Sequence, residues 1–151
     1  MNELTAYAKS KSIQITIEDF DASNSVIFDS EMMRWFGENV THLTYTFDTG
    51  NFIYSGEDEL LAFDQLKDKI VHVHAKDRGA KMIPQADVTV TTSGQQLYTV
   101  ATGQGIIKIS EVIERLKALD YQGYVTIEHF GADDYLQTML DSVDWLNQKI
   151  K

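Results

Sequence analysis

Apolar and polar residues alternate in four short segments of the chain, and a loop and a helical pattern follow each of them. In the first segment, residues 13–18, isoleucine at every odd position alternates with polar side chains. The other segments span residues 43–48, 70–74 and 124–128. A period of two is typical of a strand with one apolar and one polar face. These segments are therefore predicted to be four β-strands whose apolar faces pack under helices.

Helices are predicted before, between and after these strands, because apolar residues recur there at the spacing of helical turns. The predicted helices cover residues 2–11, 30–39, 57–67, 110–119 and 134–149. Ser110 is a natural N-cap for the fourth of them. The alternation of strands and helices favours parallel βαβ units and an α/β fold. Ordinary doubly wound sheets are apolar on both faces, so the polar strand faces favour a (β/α) barrel whose interior opens into a site.

A long insertion separates the third predicted strand from the next helix. Within it, the words DVTVTT and QLYTVAT flank Ser93-Gly94, which predicts a small β-hairpin. The Gly103-Gln104-Gly105 loop that follows is more typical of a simple turn than of a phosphate-binding loop.

Each predicted strand ends in a side chain of a type that binds metal ions, namely Glu18, Asp48, His74 and Glu128. Side chains at the carboxyl ends of barrel strands project into one mouth. Three carboxylates in one mouth repel one another and are costly to bury unpaired. A divalent cation removes that cost, and a site rich in oxygen suits Mn²⁺, Mg²⁺ or Co²⁺, with Zn²⁺ also compatible. The pattern therefore predicts a divalent metal site formed by these four residues.

Each candidate also has a simpler interpretation. Glu18 and Glu128, taken singly, are ordinary surface carboxylates, and Asp48 precedes a turn sequence that it would help to form. His74 could be an interior histidine. Because His72 points the same way by period two, the spacing leaves open which of the two binds metal and which hydrogen-bonds a ligand or a carboxylate. Lys76 could be a lysine that extends its amine to the barrel rim. The shared position of the four ligand candidates at strand ends favours the metal site over these separate interpretations.

The composition narrows the classes of function. The chain is predicted to be a single domain, residues 1–151, with 43% hydrophobic residues and enough length for a core. The formal charge of −10 disfavours binding to nucleic acid and to anionic membranes. The lack of cysteine excludes disulfides and thiolate metal sites and fits a reducing compartment. Without a signal-peptide pattern or a membrane-spanning apolar run, a cytoplasmic protein is expected.

Five sequence words resemble the xylose isomerase-like family of sugar phosphate isomerases and epimerases. They are TIEDFD at 16–21, FDTGN at 47–51, VHVHAKD at 71–77, GQG at 103–105 and GYVTIEHF at 123–130. The resemblance implies a TIM barrel with a divalent metal held by Glu18, Asp48, His74 and Glu128.

The resemblance also implies a reaction class. Glu18 and Glu128 would serve as the acid–base pair for proton transfer α to a carbonyl of a small sugar, sugar phosphate or keto-polyol. The metal would act as a Lewis acid in this reaction. His72 and Lys76, which share the polar face of the third strand, and Asn51 after the second are expected to contact the substrate. The implied activity is therefore that of a metal-dependent isomerase or epimerase.

A TIM barrel needs eight strands in about 250 residues, whereas this chain provides four units that correspond to strands five to eight. The chain is therefore expected to be a half-barrel that pairs, through its edge strands or its polar inner face, with a second copy or with the missing N-terminal half. One alternative is a truncated, non-catalytic half-barrel that serves as a metal-binding, ligand-binding or assembly module. A second, the related endonuclease IV branch, binds DNA, which the acidic charge disfavours.

Two departures from the family's patterns leave the substrate open. Asn51 stands where the epimerase branch often has a histidine. Gln104 stands where many members have a glutamate.

Overall fold

A computed structural model describes residues 1–22 and 24–151 of the chain. The elements in chain order are α1 (Asn2–Ser10), β1 (Ile15–Glu18), α2 (Ser30–Asn39), β2 (Leu43–Asp48), α3 (Phe52–Ser55), α4 (Glu59–Leu66), a 3₁₀ turn (Lys67–Lys69), β3 (Ile70–Ala75), β4 (Asp77–Gly79), β5 (Val88–Val90), β6 (Gln96–Val100), α5 (Ile109–Ala118), β7 (Tyr124–Ile127) and α6 (Tyr135–Ile150). Within this part of the chain, no helix combines the length and the apolar character that crossing a membrane requires.

The main sheet consists of four parallel strands in the order β1-β2-β3-β7. In its register, Glu18 lies beside Thr46 and Asp48 lies beside His74. Because all four strands run in the same direction, their carboxyl ends meet at one end of the sheet. The four predicted strands and the α/β arrangement are confirmed, and the sheet has the form of a partial barrel.

The hydrophobic core lies between the outer face of this sheet and helices α2, α4 and α5. Tyr45 and Phe47 of β2 and Val73 of β3 are buried there. The ring of Phe47 stacks on Phe52 with 5.0 Å between centroids and meets Phe63 edge-on at 5.4 Å. The alternation in β2 and β3 thus places apolar side chains under the helices, as predicted, and leaves the polar ones on the inner face.

For two helices, contacts in the structure explain why the start differs from the sequence prediction. The predicted helix 57–67 begins two residues later, because the Asp58 side chain accepts hydrogen bonds from the first turn of α4. The prediction of Ser110 as an N-cap is wrong, since α5 already begins at Ile109. The backbone N–H of Lys108 donates to the Glu59 carboxylate at 2.6 Å, and this contact between helices fixes the start of α5.

The insertion after β3 forms a second, antiparallel sheet in the order β4-β6-β5. Its β5–β6 hairpin was predicted, whereas β4, which follows β3 after a single residue, was not. The N–H of Thr92 donates to the carbonyl of Tyr54 at 3.2 Å, and that of Asp87 donates to the carbonyl of Gly131 at 2.9 Å. The insertion is therefore attached to the segments that follow β2 and β7, beside the carboxyl ends of the main sheet.

Candidate metal centre

The turn after β2 fixes the position of Asp48. One carboxylate oxygen of Asp48, Oδ1, accepts a hydrogen bond from the N–H of Gly50 at 2.7 Å. The next residue, Thr49, donates from Oγ1 to the carbonyl of Lys76 at 2.8 Å and accepts from the Lys76 N–H at 3.0 Å. A Cβ at Gly50 would lie 2.6 Å from the Lys76 carbonyl oxygen, so only glycine permits this close approach to the end of β3. Asp48 is thus a turn-forming residue, and the turn directs its second oxygen toward the mouth.

The four predicted ligands converge at the carboxyl end of the sheet, with one ligand atom from each within 4.8 Å of the others. The Nδ1 atom of His74 lies 2.8 Å from Glu18 Oε1 and 2.8 Å from Glu128 Oε2. The same nitrogen lies 4.0 Å from Asp48 Oδ2. The four residues therefore lie together at the strand ends, as the sequence pattern predicted. Their assignment as metal ligands remains a prediction.

The three carboxylates of this cluster lack enough positively charged or hydrogen-bonding partners among the residues around them. An imidazole Nδ1 carries at most one hydrogen, yet two carboxylates lie at hydrogen-bond distance from that atom of His74. Asp48 Oδ2 is buried and has no hydrogen-bond partner within the part of the chain that is described. A small cation with several coordination positions would satisfy all three carboxylates at once. The donor set therefore fits a divalent metal ion.

The pKa values of the cluster follow from the same contacts. Hydrogen bonds to Glu128 and Glu18 raise the pKa of His74 to about 10. The hydrogen bond from His74, helped by Lys76, lowers the pKa of Glu128 to about 2. Burial raises the pKa of Asp48 to about 7, although the charge of Lys76 opposes this shift. In the metal-free protein, a protonated His74 thus balances part of the negative charge.

Lys76 lies inside the cluster and not at the barrel rim. Its side chain is buried, and its Nζ atom lies 2.9 Å from Glu128 Oε1 and 3.4 Å from Asp48 Oδ2. Burial alone would lower the pKa of Lys76, but the charge of Asp48 and the hydrogen bond to Glu128 outweigh it and raise the pKa. The lysine is therefore held in its charged form beside two of the ligand candidates.

The other two predicted substrate contacts lie at different depths. Asn51 is buried, and its Nδ2 donates to the backbone carbonyl of Asp19 at 2.8 Å. His72 lies lower on the inner face, where its Nε2 is 3.0 Å from Thr126 Oγ1. A cavity of about 470 Å³ opens at the mouth, and its described lining is Glu18, Phe20, Asp21, Asn51, Lys76, Glu128 and Phe130. The structure thus brings Asn51 and Lys76 to the cavity, whereas His72 lies outside that lining.

Asp19 is a residue of this centre that the sequence pattern did not single out. It is fully buried, and both of its carboxylate oxygens lack a hydrogen-bond partner among the described residues. Burial raises the pKa of Asp19 well above its usual value, and the charges of Asp48 and Glu18 add to the shift. The alternation of β1 ends at Glu18, so a period-two pattern carries no information about the direction of the next side chain.

The Gly103-Gln104-Gly105 loop is a turn, as the sequence favoured, and its amides are already used. The N–H groups of Gly103 and Gly105 donate to Asp77 Oδ2 at 2.8 and 2.9 Å. The N–H of Ile107 donates to Asp77 Oδ1 at 3.2 Å. Since an internal carboxylate occupies these donors, the loop has no free cradle for a phosphate. Asp77 was missed because its partners lie about thirty residues away in sequence.

Comparison with known proteins agrees with this architecture. The family model described as "Xylose isomerase-like TIM barrel" matches residues 1–149. An inosose dehydratase from Clostridium perfringens is 28% identical over 136 residues, which cover 85% of this chain and 44% of that protein. This chain therefore spans less than half the length of that relative.

Solved structures give the same fold at low sequence identity. A xylose isomerase-like TIM barrel protein from Mycobacterium smegmatis in complex with magnesium superposes with a TM-score of 0.76 at 17% identity, covering 99% of this chain and 47% of that one. A D-allulose 3-epimerase from a Methylomonas species gives 0.71 at 17% identity, with 99% and 53% covered. At such identities these two structures are evidence for the fold alone. Because the family model matches nearly the whole chain, this protein belongs to the xylose isomerase-like TIM barrel family.

Proposed function

We propose that this chain carries the metal-binding half of the active site of a sugar isomerase, epimerase or dehydratase. The observation that supports this most is the convergence of three carboxylates and one imidazole from four strand ends within 4.8 Å. A cavity of about 470 Å³ lies beside them and has room for a small sugar, sugar phosphate or keto-polyol. The relatives add support, because inosose and D-allulose are both polyhydroxylated ketones.

Four residues would hold the metal: Glu18, Asp48, His74 and Glu128. The oxygen-rich donor set suits Mn²⁺, Mg²⁺ or Co²⁺, and Zn²⁺ is compatible with it. When bound, the cation supplies positive charge that stabilises the negative charge developing on the substrate oxygens. A cytoplasmic location, as expected from the sequence, is part of this proposal.

Glu18 and Glu128 are the proposed acid–base pair. Glu18 ends β1 and Glu128 follows β7, and these are the two outer strands of the sheet. Their carboxylates would therefore approach a substrate in the mouth from two sides. One would accept the proton α to the carbonyl, and the other would return a proton to the same carbon, the neighbouring carbon or a departing hydroxyl. These three outcomes correspond to epimerisation, isomerisation and dehydration.

Three further residues are proposed to orient the substrate. Lys76 lines the cavity, and its amine can donate to a substrate oxygen or a phosphate. Asn51 also lines the cavity, and its Oδ1 has no hydrogen-bond partner among the described residues, so it can accept from a substrate hydroxyl. His72, which lies lower on the inner face, is proposed to contact the buried end of the substrate.

Exchange of substrate hydrogen with solvent tests the proposed chemistry. The chain, loaded with Mn²⁺ and mixed with the N-terminal half of the Clostridium perfringens inosose dehydratase, is incubated in D₂O with a panel of ketoses, ketose phosphates and inososes. Proton NMR should show deuterium at the carbon next to the carbonyl. Glu18→Gln and Glu128→Gln should each slow this exchange by at least about 100-fold, since general acid–base groups contribute that much or more. Glu3→Gln, an exposed carboxylate on α1, should leave the exchange rate unchanged.

A metal-binding module without turnover is the second candidate. The observation that favours it is that all four ligand candidates belong to this chain, so metal binding needs no other segment. The same experiment separates the two candidates. Saturable Mn²⁺ binding without deuterium incorporation into any member of the panel would contradict the enzymatic proposal and favour the binding module.

A further inference from the structure

The described lining of the cavity at the mouth is rich in hydrogen-bond acceptors. Glu18, Asp21 and Glu128 contribute carboxylates to it. Asn51 adds an acceptor, because its Oδ1 has no hydrogen-bond partner among the described residues while its Nδ2 already donates to the carbonyl of Asp19. An ionised carboxylate accepts hydrogen bonds and donates none. A ligand that fits this lining must therefore bring hydrogen-bond donors of its own.

The charged donor of the lining is already paired. Among the described lining residues only Lys76 carries a positive charge, and its Nζ lies 2.9 Å from Glu128 Oε1 and 3.4 Å from Asp48 Oδ2. The amides of the nearby Gly103-Gln104-Gly105 loop donate to Asp77. A phosphate group has acceptor oxygens and a negative charge, so it would have to compete for donors that carboxylates already hold.

Arg78 lies close to the mouth, but it is buried and holds Asp21. The Arg78 side chain is 3% exposed, and its Nη2 lies 3.7 Å from Asp21 Oδ2. Its Nη1 donates to the hydroxyl of Thr99, and its guanidinium lies 5.8 Å from the ring centroid of Tyr54. The described lining of the mouth cavity does not include Arg78. Arg78 is thus a positioning residue for Asp21 and is not placed to bind a phosphate.

Asp21 borders two cavities. One is the mouth cavity, and the other, of about 230 Å³, lies between the loop after β1 and the inserted hairpin, with Tyr54 and Thr92 in its lining. The Asp21 side chain is 26% exposed, so it stays accessible to a ligand while it faces Arg78. A carboxylate in this place accepts a hydrogen bond from a hydroxyl group and repels a phosphate.

Two aromatic rings also line the mouth cavity. Phe20 is 58% exposed and Phe130 is 71% exposed. The electron-rich face of an aromatic ring attracts the weakly positive hydrogens of C–H groups. The carbon skeleton of a ketose or a cyclic polyol presents such hydrogens between its hydroxyl groups. Free acceptors beside exposed aromatic rings therefore match a polyhydroxylated carbon skeleton better than a charged ligand.

We propose that the substrate is an uncharged ketose or keto-polyol, not a sugar phosphate, and that Asp21 selects it by accepting a hydrogen bond from a substrate hydroxyl. This choice rests on the proposed function, whose substrate class it narrows. Arg78 holds the Asp21 carboxylate in place. Phe20 and Phe130 contact the carbon skeleton of the substrate.

Paired ligands that differ only by a phosphate test the proposal. The Mg²⁺-loaded chain is titrated with D-fructose and D-fructose 6-phosphate, and with D-tagatose and D-tagatose 6-phosphate. Saturation-transfer difference NMR gives each dissociation constant. In both pairs the uncharged member should bind at least about tenfold more tightly, since like charges brought together disfavour binding. Equal or tighter binding of the phosphates would overturn the substrate class and leave the proposed function standing. Failure of all four ligands to bind would contradict the proposed function itself.

Matched variants test the role of Asp21. Asp21→Asn keeps an oxygen that can face Arg78 but removes the charge, so it should reduce the preference for the uncharged member by at least about threefold. Asp21→Glu restores the charge and should recover most of the preference. Asp133→Asn, an exposed carboxylate after β7 and outside the described lining, is the control and should leave the preference unchanged.

The metal affinity separates a local effect at Asp21 from damage to the metal centre. Isothermal titration with Mg²⁺ should give the same affinity for the three variants and the unchanged chain, because neither Asp21 nor Asp133 belongs to the four ligand candidates. A preference that Asp21→Asn leaves at its original value would show that Asp21 does not select the substrate. The two ligand pairs decide the substrate class with the unchanged chain alone, so a variant that fails to fold does not affect that result.

Discussion

Phe47 and Asp48 are neighbours in β2, yet their side chains enter opposite environments. Both are fully buried. Phe47 stacks on Phe52 and meets Phe63 edge-on, so its burial stabilises the fold. Asp48 has one carboxylate oxygen without a hydrogen-bond partner among the described residues and lies near Lys76 at 3.4 Å, so its burial costs free energy. Packing on the outer face of the sheet thus stabilises the fold, whereas holding charges close together on the inner face destabilises it.

The two faces also differ in how completely this chain covers them. On the outer face, Val73 and Phe47 are at most 1% exposed. On the inner face, the side chains of Glu18 and His74 remain 32% and 20% exposed. Helices of this chain therefore cover the outer faces of β2 and β3, whereas the inner face stays partly exposed.

The largest expected effect comes from the outer face. Phe47→Ala removes an aromatic ring from the centre of the core and should lower the free energy of unfolding by about 3–5 kcal/mol. Urea denaturation followed by circular dichroism measures this loss. Leu61→Ala, on the exposed side of α4, is the control and should change the free energy of unfolding by less than about 0.5 kcal/mol. Equal losses for the two variants would contradict a core centred on β2.

The next effect belongs to the inner face alone. Asp48→Asn keeps the oxygen that accepts from Gly50 but removes the negative charge, so the turn should survive while the metal site fails. We expect Mn²⁺ affinity to fall by more than about 100-fold, since loss of a group that merely orients a ligand already costs 10–100-fold. Isothermal titration with Mn²⁺ measures the affinity, and Asp68→Asn, an exposed carboxylate, is the control. A variant that still binds Mn²⁺ normally would remove Asp48 from the ligand set.

The comparison of the two faces shows what could be predicted from the sequence. A strict alternation in β2 indicated both the apolar face and the position of Asp48, because a strand turns each residue to the opposite side. The convergence with Glu18 and Glu128 followed from their shared place at strand ends. These inferences needed only local spacing and the rule that the carboxyl ends of parallel strands meet.

The features that escaped prediction depend on contacts between distant segments. Asp19 comes after the end of β1, where alternation no longer applies. Asp77 binds amides about thirty residues ahead, and Lys108 displaces the expected cap of α5 through Glu59 on another helix. The spacing of residues in the sequence does not indicate such contacts, so only the structure identifies them.

The inner face should also respond to pH. In the metal-free protein the pKa of His74 is about 10, so its imidazole is protonated near neutral pH and must lose a proton to bind metal. Between pH 7 and 8, Mn²⁺ affinity should therefore rise about tenfold per pH unit, the slope for release of one proton. Below pH 7 the slope should steepen, because the pKa of Asp48 is about 7 and its proton must leave as well.

Titrations of the metal in several buffers report this proton release directly. The observed heat of Mn²⁺ binding should vary with the ionisation enthalpy of the buffer, and the slope of that relation gives the number of protons released. A stability measurement is not needed, because affinity and proton count come from the same titration. An affinity that stays constant from pH 6 to pH 8 would mean that neither His74 nor Asp48 must deprotonate on binding.

The smallest expected effect separates the two histidines of β3, which share the inner face with ring centroids 5.1 Å apart. His74 Nδ1 faces two carboxylates, whereas His72 Nε2 is 3.0 Å from Thr126 Oγ1 and lies outside the described lining of the mouth cavity. His72→Gln should therefore change Mn²⁺ affinity by no more than about twofold, corresponding to about 0.5 kcal/mol. His74→Gln should abolish high-affinity binding in the same titration. If His72→Gln lowered the Mn²⁺ affinity more than His74→Gln, the imidazole ligand would be His72. The metal would then lie lower on the inner face of the sheet.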